Sequence, residues 1–162
     1  MLLVGGASTA LFAQSASVES KAYGVMLNTL LSHSVPEISV SELAKQQGQY
    51  LLLDAREAEE YSVSGIAGAR PVGYDHFDME VLSDVPKDQP IIVYCSVGYR
   101  SEKVSEQLLA AGYQTVYNLY GGIFEWKNQG QEVVTPSGEA TQRVHAYSRS
   151  WGIWLKKGKK VY

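Results

Sequence analysis

The sequence has a single cysteine, no excess of basic residues and few histidines. One cysteine among 162 residues excludes an internal disulfide, so the fold must be held together by packing. A net charge of -3 lacks the basic balance of a protein that neutralises many phosphates, and we expect no nucleic-acid partner. The histidines, His33, His76 and His145, neither pair at helical spacing nor lie near the cysteine. We therefore expect no metal and no cofactor.

The first twenty residues carry the only indication of compartment. Met1 to Ala13 is apolar and uncharged, and a mostly polar run, 14–17, follows it, as in a secretory signal with a small-residue cleavage zone. No Lys or Arg precedes the apolar stretch, which is also shorter than the roughly 18 residues that span a bilayer. We predict an exported, periplasmic protein with a leader at 1–20; the alternative is a cytoplasmic protein with a frayed N-terminus.

Apolar strand patterns alternate with helical patterns along the rest of the chain. Ile91–Tyr94 is a β-branched strand introduced by Pro90, and Leu51–Leu53 is a continuous apolar run typical of a strand buried on both faces. A helical pattern, 101–111, follows the first of these strands. The remaining predicted elements are a helical segment at 21–35, strands at 37–40, 69–72 and 115–119, and short helices at 42–47, 54–61, 77–82 and 123–128. With 45% hydrophobic residues, the pattern predicts one α/β domain with a largely parallel sheet.

Two local features suggest how the short helices begin. Ser41 is positioned to cap the helix 42–47, and Asp54 with Glu57 has the spacing of a capping box. Arg56 and Glu60 lie four residues apart, which predicts a local structural ion pair.

The loop Cys95–Arg100 lies between the strand Ile91–Tyr94 and the helix 101–111, at the edge where α/β proteins bind ligands. Backbone N–H groups, the helix dipole and Arg100 would together favour the thiolate of Cys95. The alternative from position alone is a buried cysteine that acts as a small hydrophobe.

Three motifs, in the order in which the rhodanese family has them, resemble that family over about 36–130. The stretch 94–101, Tyr-Cys-Ser-Val-Gly-Tyr-Arg-Ser, resembles its active-site loop of a cysteine, four residues and an arginine. The stretch 53–57, Leu-Asp-Ala-Arg-Glu, resembles the early Asp-x-Arg element, and Gly121, Gly122 and Trp126 resemble the closing Gly-Gly element. One departure is Gly65, where the family commonly has histidine.

The resemblance implies a three-layer domain at 36–134 with a central, mostly parallel five-stranded sheet flanked by helices. It also implies a sulfurtransferase in which Cys95 takes sulfane sulfur from thiosulfate, a persulfide or a polysulfide and passes it to a thiol or an acceptor protein. The residues implied to bind the donor are Ser96, Val97, Gly98, Tyr99 and Arg100, with Asp54, Arg56 and Ser101 in support.

The length and charge of the loop bear on which reaction it supports. A phosphatase of the dual-specificity type needs a loop one residue longer, so we expect phosphate not to fit. The loop contains no lysine, which predicts slow use of dianionic thiosulfate. The second hypothesis is a persulfide carrier or a regulatory protein-binding module without turnover.

The C-terminal extension, 135–162, combines aromatic and basic residues. Trp151 and Trp154 precede a run of lysines at 156, 157, 159 and 160. This pattern fits either a surface anchor for anionic lipid or a partner, or a segment that packs its aromatic side chains against the domain; we favour packing.

Overall fold

The computed structural model describes residues 15–162, which form a parallel sheet covered by helices on both faces. The predicted leader lies mostly outside the described residues. The strands are β1 (Glu37–Ile38), β2 (Leu51–Asp54), β3 (Arg70–Pro71), β4 (Ile91–Tyr94), β5 (Val116–Leu119), β6 (Val133–Val134), β7 (Ala140–Thr141), β8 (Arg143–His145) and β9 (Lys159–Val161). The helices are α1 (Lys21–Leu30), α2 (Val40–Gln46), α3 (Ala58–Val63), α4 (Tyr99–Ala110), α5 (Gly122–Asn128) and α6 (Arg149–Gly152), with 3-10 turns at 47–49 and 79–82.

Five strands form the central sheet in the order β1-β5-β4-β2-β3, and every neighbouring pair is parallel. The predicted α/β class with a five-stranded sheet is therefore confirmed. β4 lies at the centre, so the residue after it is placed in the middle of the sheet's carboxyl edge.

The apolar runs of β2 and β4 are explained by cores on both faces of the sheet. Along β4, Ile92 points into the core that contains α1, α2 and α5, whereas Ile91 and Val93 point into the core beneath α4. Leu52 and Leu53 of β2 divide in the same way. Because side chains alternate along a strand, a strand covered on both faces must be apolar at successive positions.

The residues that precede α2 and α3 differ from the predicted ones by two and three positions. Ser39, not Ser41, caps α2 by accepting from the Glu42 N–H at 3.2 Å. Glu57, not Asp54, precedes α3, and its N–H donates to the Glu60 carboxylate at 3.0 Å. Both predictions were wrong because Ser39 and Glu57 also have the spacing of a capping box, and each directly precedes the helix that forms.

The C-terminal segment packs against the domain. Leu155 is fully buried, and the Trp154 ring stacks on Tyr23 of α1 with centroids 5.4 Å apart. Asn128 of α5 donates to the Trp154 carbonyl at 2.9 Å and accepts from the Lys156 N–H at 2.7 Å. The four lysines are exposed, so the aromatic residues lie where the packing alternative expected them. In the part of the chain that the structure describes, no helix has the length and apolarity to cross a membrane.

We predict that Leu155→Ala lowers the free energy of unfolding by about 2–5 kcal/mol, because it leaves a cavity where the C-terminal segment meets the core. Ile153→Ala is the matched control. Ile153 is 52% exposed, and its truncation should change stability by less than about 0.5 kcal/mol. Urea unfolding followed by tryptophan fluorescence measures both; equal effects would contradict the packing of this segment.

Candidate active site

The only cysteine of the sequence lies at the junction between a strand and a helix. β4 ends at Tyr94, Cys95 follows it, and α4 begins at Tyr99. Gly98 precedes the helix with a φ of 127°, which glycine adopts without a side-chain clash. This turn lets the Gly98 N–H donate to Cys95 Sγ at 3.1 Å. Sγ thus lies at the N-terminal end of a 12-residue helix, whose dipole favours negative charge.

Ser101 makes a second contact with the sulfur, and Asn118 positions Ser101. The Ser101 hydroxyl lies 3.4 Å from Cys95 Sγ and 2.6 Å from Asn118 Oδ1. Asn118 Nδ2 also donates to the Gly98 carbonyl at 2.9 Å. Sequence reasoning missed Asn118; its signal is a fully buried polar residue inside the short strand β5.

The start of α5 is docked onto the cysteine loop. The Ile123 N–H donates to the Cys95 carbonyl at 2.9 Å, and the Phe124 N–H donates to the Ser96 carbonyl at 3.1 Å. Gly122 has a φ of 59°, and a Cβ there would lie 2.6 Å from the Cys95 carbonyl oxygen and collide with the Ser96 carbonyl. The second glycine of the Gly-Gly element is therefore required by a backbone-to-backbone contact with the loop.

Arg100 is committed to an ion pair with Glu60. Its Nη1 and Nη2 donate to the two carboxylate oxygens of Glu60 at 2.7 and 2.8 Å, and Nη2 also donates to Ser96 Oγ at 3.0 Å. Ser96 Oγ in turn donates to Glu60 at 3.0 Å. Sequence reasoning paired Glu60 with Arg56, which is wrong, and did not place Glu60 in the site.

The ion pair keeps both partners charged. Burial raises the pKa of Glu60, but hydrogen bonding to Arg100 and its charge outweigh burial and bring the pKa below its usual 4.5. Burial lowers the pKa of Arg100, but hydrogen bonding to Glu60 and the nearby Cys95 outweigh it and raise the pKa above its usual value. The loop's arginine thus has a carboxylate counter-ion before any donor arrives.

Asp54 and Arg56 form a separate, fully buried cluster with Tyr94. Arg56 Nε and Nη2 donate to the Asp54 carboxylate at 3.0 and 2.6 Å, and Nη2 also reaches the Ser64 carbonyl at 2.6 Å. The Tyr94 hydroxyl donates to Asp54 at 2.9 Å. The cluster holds the end of β4 through Tyr94. Neither Asp54 nor Arg56 is among the residues that line the cavity beside Cys95.

Gly65 lies directly against this cluster. A Cβ at Gly65 would lie 3.1 Å from Tyr94 Oη and 3.5 Å from Asp54 Oδ2. The Gly65 N–H and carbonyl both pair with the backbone of Val134 at 2.9 Å. Two backbone hydrogen bonds therefore hold the segment at which the sequence departs from the family's histidine.

A cavity of about 230 Å³ opens beside Cys95. Of the five residues predicted to bind a donor, Ser96, Val97, Tyr99 and Arg100 line it, while Gly98 reaches Sγ through its backbone. Sequence reasoning missed the other lining residues, Leu30, Tyr147 and Trp151. They come from α1 and the C-terminal segment, and only the tertiary fold brings them to the loop. Among residues 15–162, no group of three or more His, Cys, Asp or Glu side chains is arranged to hold a metal ion.

Comparison with known proteins shows which family this chain belongs to. A family model described as rhodanese-like domain matches residues 39–129. A sulfurtransferase of Allochromatium vinosum is 33% identical over 100 residues, which cover 62% of this chain and 92% of the relative. The thiosulfate sulfurtransferase GlpE of Coxiella burnetii is 28% identical over 102 residues, which cover 60% of this chain and 90% of the relative.

Longer proteins and solved structures also match. A tRNA uridine(34) hydroxylase of Bdellovibrio bacteriovorus is 26% identical over 110 residues, but the match covers only 31% of that protein and 65% of this chain. The crystal structure of a rhodanese-related protein from Thermoplasma volcanium superimposes with a TM-score of 0.57 at 27% identity, covering 62% of this chain and 98% of the other.

We predict that Gly122→Ala destabilises the protein much more than Gly130→Ala. Both glycines have positive φ, but a Cβ at Gly130 meets no atom within 4 Å. Gly130→Ala should therefore cost only the conformational strain of about 1–2 kcal/mol. Gly122→Ala should cost roughly 2 kcal/mol more because it also separates α5 from the loop. Equal costs in urea unfolding would contradict the contact.

We predict that the Glu60 ion pair makes stability dependent on acid. The pKa of Glu60 is depressed in the folded protein, so its contribution is complete above about pH 4.5 and is lost as the pH falls through the folded pKa. The stability advantage of the native protein over Glu60→Gln should therefore shrink below about pH 4.5.

Asp84→Asn is the control for this pH dependence, because Asp84 also pairs with an arginine, Arg70, but its side chain is 65% exposed. An exposed pair contributes little, so this variant should follow the native pH profile closely. Urea unfolding over about pH 3–7 gives both profiles. A Glu60→Gln difference that is constant across this range would contradict the prediction.

Proposed function

Because this chain belongs to the rhodanese-like domain family, we propose that it is a sulfurtransferase in which Cys95 holds sulfane sulfur as a persulfide. Family membership and the relatives named as sulfurtransferases support sulfur transfer in general. The observation that carries the specific proposal is the position of Sγ, which accepts the Gly98 N–H at 3.1 Å and faces a cavity.

The proposed reaction has two steps. With thiosulfate, the Cys95 thiolate attacks the outer sulfur, the bond between the two donor sulfurs breaks, and its electron pair leaves with sulfite. Cys95 is left as a persulfide anion. An acceptor thiolate or cyanide then attacks the outer sulfur of that persulfide and restores the Cys95 thiolate, so that atoms and charge balance over the cycle.

The residues around Sγ support each step without a general base. The Gly98 N–H and the dipole of α4 favour an anion on Cys95 before attack and on its persulfide afterwards. Ser101 and Asn118 act as positioning residues, because they hold the first turn of α4 against the sulfur. This chain has no second cysteine, so the acceptor we propose is a separate small thiol or acceptor protein.

A persulfide carrier is the second candidate, favoured by the burial of Cys95. Cys95 is only 1% exposed, which would protect a bound sulfur but restrict the approach of an acceptor. Such a carrier would load from a donor but release sulfur only to a protein that rearranges the loop.

The test is the intact mass of the protein after incubation with thiosulfate or inorganic polysulfide. We expect the native chain to gain one sulfur atom and Cys95→Ser, which is close in size, to gain none. Cyanide should then discharge the sulfur as thiocyanate, with repeated cycles for an enzyme. Loading without discharge to cyanide or a small thiol would favour the carrier. Failure of both donors to load the native chain would overturn the proposed function.

A further inference from the structure

The lining of the Cys95 cavity comes partly from outside the region that the family model matches. Leu30, Tyr147 and Trp151 line the cavity, whereas the family model matches residues 39–129. The loop residues beneath them come from within that match. What this chain adds to the loop is therefore an apolar and aromatic wall.

Tyr147 is held in the wall against its own backbone preference. It has a φ of 66°, in the left-handed region that residues with a Cβ rarely adopt. The Tyr147 N–H donates to His145 Nδ1 at 3.0 Å, and the next residue, Ser148, caps α6. Strain of this kind persists where the surrounding structure determines the conformation, as it often does at ligand sites.

The wall is anchored on both sides of Tyr147. β8 pairs in parallel with β9, and Ala146 is fully buried. The Ser64 hydroxyl donates to the Arg143 carbonyl at 2.6 Å. Trp151 lies within α6 and packs partly buried against the core. The backbone on both sides of Tyr147 is therefore anchored, while Tyr147 itself is 53% exposed at the cavity.

The charges of the cavity do not suit a dianion. Among the described residues that line it, Arg100 is the one basic side chain. Its guanidinium is paired with Glu60 and lies 5.2 Å from the Tyr147 ring centroid. A dianionic donor would meet an arginine whose charge is already balanced, beside a thiolate of the same sign.

We propose that Tyr147 and Trp151 determine donor specificity by selecting organic persulfides whose sulfane sulfur is carried on an apolar group. This inference rests on the proposed function of Cys95. The aromatic side chains contact the organic group while the outer sulfur reaches Sγ. The Cys95 thiolate attacks the outer sulfur of the protonated persulfide, and the donor S–S bond breaks with its electron pair on the leaving organic thiolate. The outer sulfur keeps its proton during the transfer, and the Cys95 persulfide then releases that proton to solvent.

The test compares loading by benzyl persulfide, which has an aromatic carrier, with loading by glutathione persulfide, which has a charged one. Intact mass gives each loading rate, divided by the rate of the same donor with free cysteine to remove intrinsic reactivity. We expect the native protein to favour the benzyl donor. Tyr147→Gly and Trp151→Ala should each lower this preference by about tenfold, as expected for loss of apolar contact in a pocket. Tyr147→Phe should retain it.

His33→Gly is the matched control for relief of backbone strain. His33 also has positive φ, at 54°, and is not among the lining residues of this cavity. The His33→Gly variant should load both donors like the native protein. Glycine is the replacement chosen in Tyr147→Gly because it removes the tyrosine side chain without creating backbone strain.

The outcomes separate the two proposals. If the native protein loads from neither persulfide nor thiosulfate, the proposed function fails. If it loads but shows no preference for the benzyl donor, or if Tyr147→Gly leaves the preference unchanged, the specificity role of the wall is overturned while sulfur transfer stands. An equal fall in both rates would also overturn it, because a purely structural role would produce that result.

Discussion

The active-site geometry depends on the contact between the start of α5 and the cysteine loop. The carbonyls of Cys95 and Ser96 accept the N–H groups of Ile123 and Phe124, and Gly122 is the residue that permits this approach. A trans peptide is planar, with its C=O and N–H pointing in opposite directions. Fixing these two carbonyls toward α5 therefore turns the following N–H groups away from it. The loop is thereby held in one conformation before any donor binds.

The charge differs between two parts of the site: the arginine at its rim is neutralised by a carboxylate, whereas the surroundings of the sulfur favour an anion. Glu60 balances the charge of Arg100, and the pair is further fixed through Ser96. At the centre, Cys95 Sγ accepts from a backbone N–H at the start of α4. The backbone N–H donor and the start of α4 favour an anion on the sulfur. This balance is consistent with a site that stabilises a persulfide more readily than it attracts a dianion.

The local part of this arrangement could be predicted from the sequence. The apolar runs of β2 and β4, the helical pattern 101–111 and the order of the motifs predicted the fold and located Cys95 at the sheet edge. These features depend on residues close together in the chain, where spacing and propensity are informative. The roles assigned to the loop residues remain predictions, although the structure brings four of the five to one cavity with Cys95.

The rest could not be predicted because it depends on contacts distant in sequence. Glu60 and Arg56 have ideal helical spacing, yet Arg56 binds Asp54 across a tight turn and Glu60 binds Arg100, 40 residues away. Tyr147 and Trp151 reach the cavity only because β8 and β9 fold the C-terminal segment back onto the domain. The sequence favoured packing of Trp151 and Trp154 against the domain but did not indicate which part of the domain they would contact.

A crystal structure of the native protein after reaction with polysulfide would show whether Cys95 carries a persulfide within this loop. One additional sulfur atom should be bonded to Cys95 Sγ and directed into the cavity, with the loop and its hydrogen bonds to Ile123 and Phe124 unchanged. An unmodified Cys95 under conditions in which free cysteine is converted, or a sulfur accommodated only by displacing the loop from α5, would contradict this prediction.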